Sequence, residues 1–146
     1  GRLDGIHRGG GAEPVGFNYG NAGEVYIADA FGNTSSYYLN QDGLLVRATD
    51  PQADEMRLSY DSDFNLTSVV DPAARSYQYA YDSSGNLTQM TDPLGYITCL
   101  RYDGPYDRMT ELVDANGNIT RYAYDGQGDL VNISSAVDAS TGRENR

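Results

Sequence analysis

The sequence predicts an all-β fold: tandem β-hairpins of about 21 residues, laid out as a coiled antiparallel sheet or β-solenoid-like strip. Three observations predict it. Tyr-Asp pairs begin at Tyr60, Tyr81, Tyr102 and Tyr124, in steps of 21, 21 and 22 residues. Turn segments begin on the same beat at Asp29 (DAFGN), Asp50 (DPQAD), Asp71 (DPAAR), Asp92 (DPLGY) and Asp114 (DANGN). An apolar column of Leu3, Val25, Leu45, Leu66, Leu87, Met109 and Leu130 keeps step with both. Self-similarity at a fixed period marks an array of small units that bury their apolar positions only by stacking on neighbours.

Each unit reads as two strands and two turns. Asp82-Ser83-Ser84-Gly85 is a tight reversal, with Asp at its first position and Gly where a positive φ is needed. Asn86 to Thr91 follows as a strand. Asp92-Pro93-Leu94-Gly95 reverses the chain again, Pro supplying its fixed φ just after the Asp. Tyr96 to Tyr102 returns, with Tyr96, Thr98, Leu100 and Tyr102 alternating against Ile97, Cys99 and Arg101, the pattern of a half-buried strand. No segment carries a capped apolar stripe of helical period, so helix is expected to be nearly absent. Leu87, in the apolar column, is expected to be a packed core position, where truncation to Ala costs roughly 2–5 kcal/mol.

The register extends to both ends. Gly1 lies four periods before Gly85, and Arg8-Gly9-Gly10-Gly11 falls on the Asp92–Gly95 turn, so the Gly-rich start reads as a degenerate first unit. Asp138 to Gly142 reads as a late, displaced turn. Residues 1–146 are thus expected to form a single array of about seven hairpin units, with 1–18 and 124–146 degenerate or incomplete. The chain starts at Gly1 and shows no signal peptide, which reads as a processed or excised segment whose pattern is cut at both ends.

Composition agrees with an extended, half-wet surface. There are 13 Tyr, 3 Phe and no Trp, with 17 Gly and 5 Pro for turns. Tyrosine brings a large ring and a hydroxyl that seeks a partner. With 10 basic against 21 acidic residues the net charge is −11, which repels phosphate backbones and argues against nucleic-acid binding. Most of the Asp sits in turns, accepting hydrogen bonds from the backbone ahead of it. No apolar run is long enough for a membrane span. Cys99 is alone, so an internal disulfide is excluded.

The pattern in Tyr81 to Tyr102, Y-D-x-x-G-N-L-T-x-x-T-D-P-x-G-x-x-T, resembles the YD repeat, also called the RHS repeat, of bacterial RHS and polymorphic toxins, toxin-complex proteins and teneurins. Tyr60 to Ala80 and Tyr102 to Ala123 carry most of it. Leu39 to Ser59 keeps Gly43, Leu45, Asp50 and Pro51 without the leading Tyr-Asp. The resemblance implies a strip of antiparallel hairpins that in large relatives spirals into a hollow shell around a toxin or its precursor. It also implies an extracellular or cell-surface location. Those relatives release a toxin through a DPxGL-type element. Here Tyr96 follows Asp92-Pro93-Leu94-Gly95, which reads as an ordinary repeat turn.

No catalytic, metal or cofactor set emerges, and an enzyme is not expected. His7 and Cys99 are the only histidine and cysteine, His7 in the Gly-rich start and Cys99 in mid-strand as a buried structural thiol. A zinc site would lack any spacing signature. Asp61-Ser62-Asp63-Phe64-Asn65 begins like a calcium loop but has Leu66 where the sharp-turn Gly belongs and Pro72 where the bidentate Glu belongs. Arg8 to Gly11 follows no strand-to-helix signal and is no phosphate loop. Paired carboxylates recur simply because every turn begins with Asp. Five N-x-[ST] sequons, at Asn33, Asn65, Asn86, Asn118 and Asn132, lie in or just after turns and are candidate glycosylation acceptors, although the repeat itself favours Asn there.

The reading that follows is a non-enzymatic structural repeat segment, building a β-shell or extended scaffold, with itself as partner end-to-end or within a longer array. One alternative is a self-assembling fibre subunit joined by strand pairing at open sheet edges. Another is a carbohydrate- or surface-binding module using the Tyr-rich faces, with glycans as partners.

Overall fold

The computed structural model describes residues 5–6, 15–19, 23–104 and 106–137. Every regular element among them is a strand. In chain order these are β1 (Gly5–Ile6), β2 (Val15–Tyr19), β3 (Glu24–Ala28), β4 (Thr34–Leu39), β5 (Leu45–Thr49), β6 (Glu55–Tyr60) and β7 (Leu66–Val70). They continue as β8 (Ser76–Tyr81), β9 (Leu87–Thr91), β10 (Ile97–Asp103), β11 (Arg108–Val113), β12 (Asn118–Tyr124) and β13 (Leu130–Val137). The expected all-β array of tandem antiparallel hairpins is what the chain forms. The reversals proposed for Gly9–Gly11 and Asp138–Gly142 lie outside the described residues.

The chain divides into two compact units, one of 1–59 with 68–75, the other of 60–67 with 76–146. In the first, β1 to β6 pair antiparallel in chain order, with Glu24↔Tyr38, Tyr38↔Arg47 and Arg47↔Arg57 setting the register. In the second, β8 to β13 do the same, through Tyr79↔Met90, Thr98↔Met90, Leu100↔Leu112, Leu112↔Thr120 and Thr120↔Ser135.

The turns explain why the pattern is so regular. At Asp82 the backbone N–H of Gly85 donates to Asp82 O (3.1 Å) and the N–H of Asp82 donates to Asn86 O (3.0 Å). The Asp82 carboxylate closes the loop from inside: Oδ1 accepts from the N–H of Ser84 and of Asn86, and Oδ2 accepts from the Asn86 amide. The same two-pronged use of Oδ1 recurs at Asp29, Asp50, Asp61, Asp71, Asp92 and Asp114. Asx turns of this kind make Asp the residue that starts a reversal.

The fourth turn position needs a left-handed backbone whatever residue stands there. Gly85 (φ 85°) and Gly95 (φ 84°) meet that need freely, but Ala53 (φ 68°), Phe64 (φ 67°) and Ala74 (φ 59°) are held there too. The Asp bonds on either side fix the geometry, and the side chain bears the strain.

Four of the hairpins also carry a bulge. Register slips by one between Tyr38 and Leu39, Ala80 and Tyr81, Arg101 and Tyr102, and Ala123 and Tyr124. The residues set aside from the ladder are Val46, Thr88, Thr110 and Val131. Two of them use their hydroxyls locally, Thr88 donating to Ala80 O (3.1 Å) and Thr110 to Arg101 O (3.3 Å).

The core differs from expectation. Among the described residues no side chain is fully buried, apolar or polar. Leu45, Leu66, Leu87 and Met109 are half-buried, and Leu130 is exposed. Cys99, expected as a buried thiol, is half-buried as well. The cause is architectural: within each unit strands touch only their chain neighbours, so a sheet face has no second layer to close over it.

Candidate functional site

Among the described residues the periodic reversal fails after Tyr102-Asp103, and a groove lies there. After Tyr102-Asp103 the loop holds an extra residue, which gives the 22-residue step. β10 runs on until Asp103 pairs with Arg108, Gly104 (φ 83°) and Asp107 (φ 46°) both turn left-handed, and among the described residues Asp103 Oδ1 accepts the Gly104 N–H alone (2.7 Å). Tyr106 stands out from this loop, 64% exposed.

Arg108, first residue of β11, links the loop to the next hairpin. Its guanidinium carbon lies 4.4 Å from the centre of the Tyr106 ring and 5.4 Å from that of Tyr124, within cation–π range of both. The group also rests on Gly128 (φ 93°), where a Cβ would overlap it. Asp125 opens the neighbouring turn, its Oδ1 taking the N–H groups of Gln127, Gly128 and Asp129. Those bonds, foremost that from Asp129, hold its carboxyl below the usual carboxylate range, and the Arg108 charge adds to them. A groove of about 440 Å³ opens between Asp103, Tyr106, Arg108, Tyr122, Tyr124 and Asp125. Nothing in the sequence reading singled out this cluster. The one available signal was the step of 22 residues in place of 21.

Two other charged clusters are lateral ladders across strands. Glu111 bridges Arg101 and Arg121, both at 3.0 Å, on three neighbouring strands. In the first unit the Tyr26 hydroxyl, then that of Tyr38, with Arg47 nearby, hold the Glu24 carboxyl below the usual range, while Tyr26 is pushed up to about 12. Glu24 Oε1 is enclosed and has no hydrogen-bond partner among the described residues. Arg47 lies over the Tyr38 ring at 3.5 Å.

The residues weighed from sequence fall as follows. Asp61 to Asn65 is a repeat turn, its Asp occupied by the N–H groups of Asp63 and Asn65. Asp92 to Gly95 is another, with Gly95 N–H on Asp92 O at 3.0 Å. Cys99 sits in β10 opposite Gln89 and Val113. His7 and the Arg8–Gly11 segment lie outside the described residues. Among the described residues no group of three or more His, Cys, Asp or Glu is placed to hold a metal ion, and no helix is long and apolar enough to cross a membrane. Of the sequon asparagines, Asn33, Asn65, Asn86 and Asn118 donate their amides to the turn aspartates Asp29, Asp61, Asp82 and Asp114 at 2.7, 3.1, 3.1 and 2.8 Å. Asn132 instead stands exposed in mid-strand on β13.

Comparison with known proteins agrees with the geometry. No curated protein matches the sequence. Among solved structures, the chain is similar to a TcdB2-TccC3 crystal structure (TM-score 0.71, 15% identity) and to TcdB2-TccC3-TEV (TM-score 0.72, 16% identity). It is similar also to a Tc holotoxin pore of Photorhabdus luminescens carrying a TccC3 mutation (TM-score 0.71, 16% identity). Each likeness covers 86% of this chain and 8% of the other, so the chain spans a small fraction of the structures it matches. A family model described as RHS Repeat matches residues 60–97 and again 102–142. Those two matches take in more than half of the residues, and the chain belongs to the RHS repeat family.

Proposed function

We propose that this chain is a non-catalytic structural segment of an RHS-repeat array, one run of about seven hairpins over residues 1–146, contributing to a β-shell or extended scaffold outside the cell or at its surface. The observation that carries it is the half-buried apolar column. A sheet whose leucines are only partly covered within each unit gains most of its hydrophobic stabilisation when further repeats, or another chain, close over the face. The turn aspartates support the same reading, because their carboxylates are committed to backbone N–H groups and are poorly placed for acid–base work. The four turn asparagines serve their turns. Asn132 is the sequon most open to a glycan.

A second reading, a fibre subunit, is favoured by β13. Leu130, Val131 and Ile133 are 49%, 60% and 59% exposed on a strand of eight residues, and apolar strands of that length invite pairing with another chain. Electron microscopy and light scattering of the purified chain over a range of concentrations test both. Hollow or sheet-like particles support the shell reading, and filaments support the fibre. A monodisperse monomer that binds no apolar dye and hydrolyses a glycan, peptide or ester overturns both.

A further inference from the structure

We propose that the groove beside Tyr106 is a binding site for a neutral saccharide, with Tyr106 as stacking platform and the Asp125 carboxylate and Arg108 guanidinium as hydroxyl partners. Its volume of about 440 Å³ suits a small ligand, and sites of that kind combine apolar walls with a few convergent polar groups. A pyranose ring has an apolar C–H face and a rim of hydroxyls. It therefore requires one flat ring beside groups that can both donate and accept.

The groove supplies each of these. Tyr106 is lifted clear of the sheet by the extra loop residue, and its ring is largely exposed. Arg108 is held in place from three sides, by Tyr106, Tyr124 and the bare backbone of Gly128, so its donors are pre-ordered and little entropy is lost on binding. Asp125 differs in one bond from the four turn aspartates that have Asn four residues on. Asp29, Asp61, Asp82 and Asp114 each spend Oδ2 on the amide of an Asn four residues on. Residue 129 is Asp, which has no amide to give, so Asp125, like Asp50 and Asp92, keeps an acceptor oxygen that those four turns spend, and of these three it is Asp125 that lines the groove. The carboxylates of Asp103 and Asp125, in a chain of net charge −11, disfavour an anionic sugar and select a neutral one.

The test is ¹⁵N–¹H NMR titration of the chain with maltotriose, cellotriose and N-acetylated chitotriose, all neutral. Saturable shifts confined to residues 103–110 and 122–128 with at least one of the three are expected. Tyr106→Ala should weaken that binding at least about tenfold and Tyr106→Phe about twofold or less, while Tyr96→Ala, at an exposed tyrosine in a regular turn, should leave it unchanged. The unperturbed spectrum of each variant shows whether it has folded. No saturable shift with any of the three, shifts elsewhere on the sheet, or equal binding by Tyr106→Ala overturns the site. None of these outcomes bears on the scaffold reading, which is decided by particle form.

Discussion

The hydroxyl of Tyr81 donates to the backbone carbonyl of Leu66 at 3.0 Å, and Tyr124 repeats the bond to Met109 at 2.9 Å, each reaching 15 residues back. In these two Tyr-Asp pairs the Tyr is thereby tied to the apolar column of the preceding unit. This is a reason for tyrosine in a column where phenylalanine would pack as well. Replacing Tyr81 by Phe deletes one hydroxyl bond and is expected to cost about 0.5–1.5 kcal/mol, read from chemical denaturation with unchanged m-value. Stability equal to wild type would mean that water serves the Leu66 carbonyl just as well.

The left-handed alanines offer the opposite sign. Ala53→Gly and Ala74→Gly relieve the Cβ strain of positive φ, offset in part by greater freedom of the unfolded chain, for a net gain of roughly 0.5–1 kcal/mol each. Gly85→Ala should lose a similar amount. Denaturation midpoints that move the same way for all three changes would show that φ is not the controlling variable.

Arg108 and Gly128 should be energetically coupled. Gly128→Ala places a methyl group where the guanidinium lies and strains a backbone at φ 93°. In an Arg108→Ala background only the backbone strain remains, about 1 kcal/mol. A double-mutant cycle is expected to show the glycine substitution costing less in that background. Additive effects would place the guanidinium elsewhere in solution.

Acid should loosen the turns. The carboxyls of Asp29, Asp61, Asp71, Asp82, Asp114 and Asp125 all lie below the usual range, through hydrogen bonds from the side chain or backbone four residues on. A folded-state pKa that is depressed contributes stability fully present above the unfolded value of about 3.9 and lost as pH falls through the folded one. Melting temperature should therefore hold steady from pH 7 to about 5 and drop below about 4. Replacing Asp82 by Asn should flatten the drop slightly. A melting temperature that rises on acidification would reverse the assigned sign.

Leu87→Ala should cost less than the 2–5 kcal/mol typical of a packed core, about 1–2 kcal/mol, because the side chain is only half-covered. Calorimetry on the purified chain checks it. A loss above about 3 kcal/mol would mean that the face is covered in solution.

The array and its reversals were legible in the sequence because each rests on local chemistry. Asp starts a turn through its own carboxylate, and alternation follows from the pleat, so Asp82 and Asp92 could be placed without coordinates. The reach of Tyr81 to Leu66 was not legible, since it joins residues across strands whose register the sequence leaves open. The positive φ of Ala53, Phe64 and Ala74 was not legible either: propensity alone would not put them there, and the Asp bonds around them override it. The apolar column was visible as a column, but whether anything lies over it depends on a layer that no single repeat encodes. The groove at Tyr106 arises from a break in the pattern, and periodicity describes only what recurs.

The bulge beside Tyr81, Tyr102 and Tyr124 settles a question of parity. Side chains on a pleated ribbon alternate between two faces, whereas the commonest step of this repeat is 21 residues, an odd number. Copying an odd-length motif along such a ribbon would send each column to the opposite face at every copy, like a clock that ticks thirteen to the dozen. One residue dropped from the ladder per long hairpin, as at Thr88, resets the count, and Gln78, Thr91 and Ile97 line up on the same face as Cys99, a full step beyond Gln78. The 22-residue step keeps the same bulge, at Thr110, and places its surplus residue in the loop after Asp103, outside the ladder. Forcing Thr88 into the ladder would therefore act at a distance, turning over every side chain beyond it, whereas deleting Thr88 leaves Gln89 opposite Ala80 and the faces beyond it unchanged.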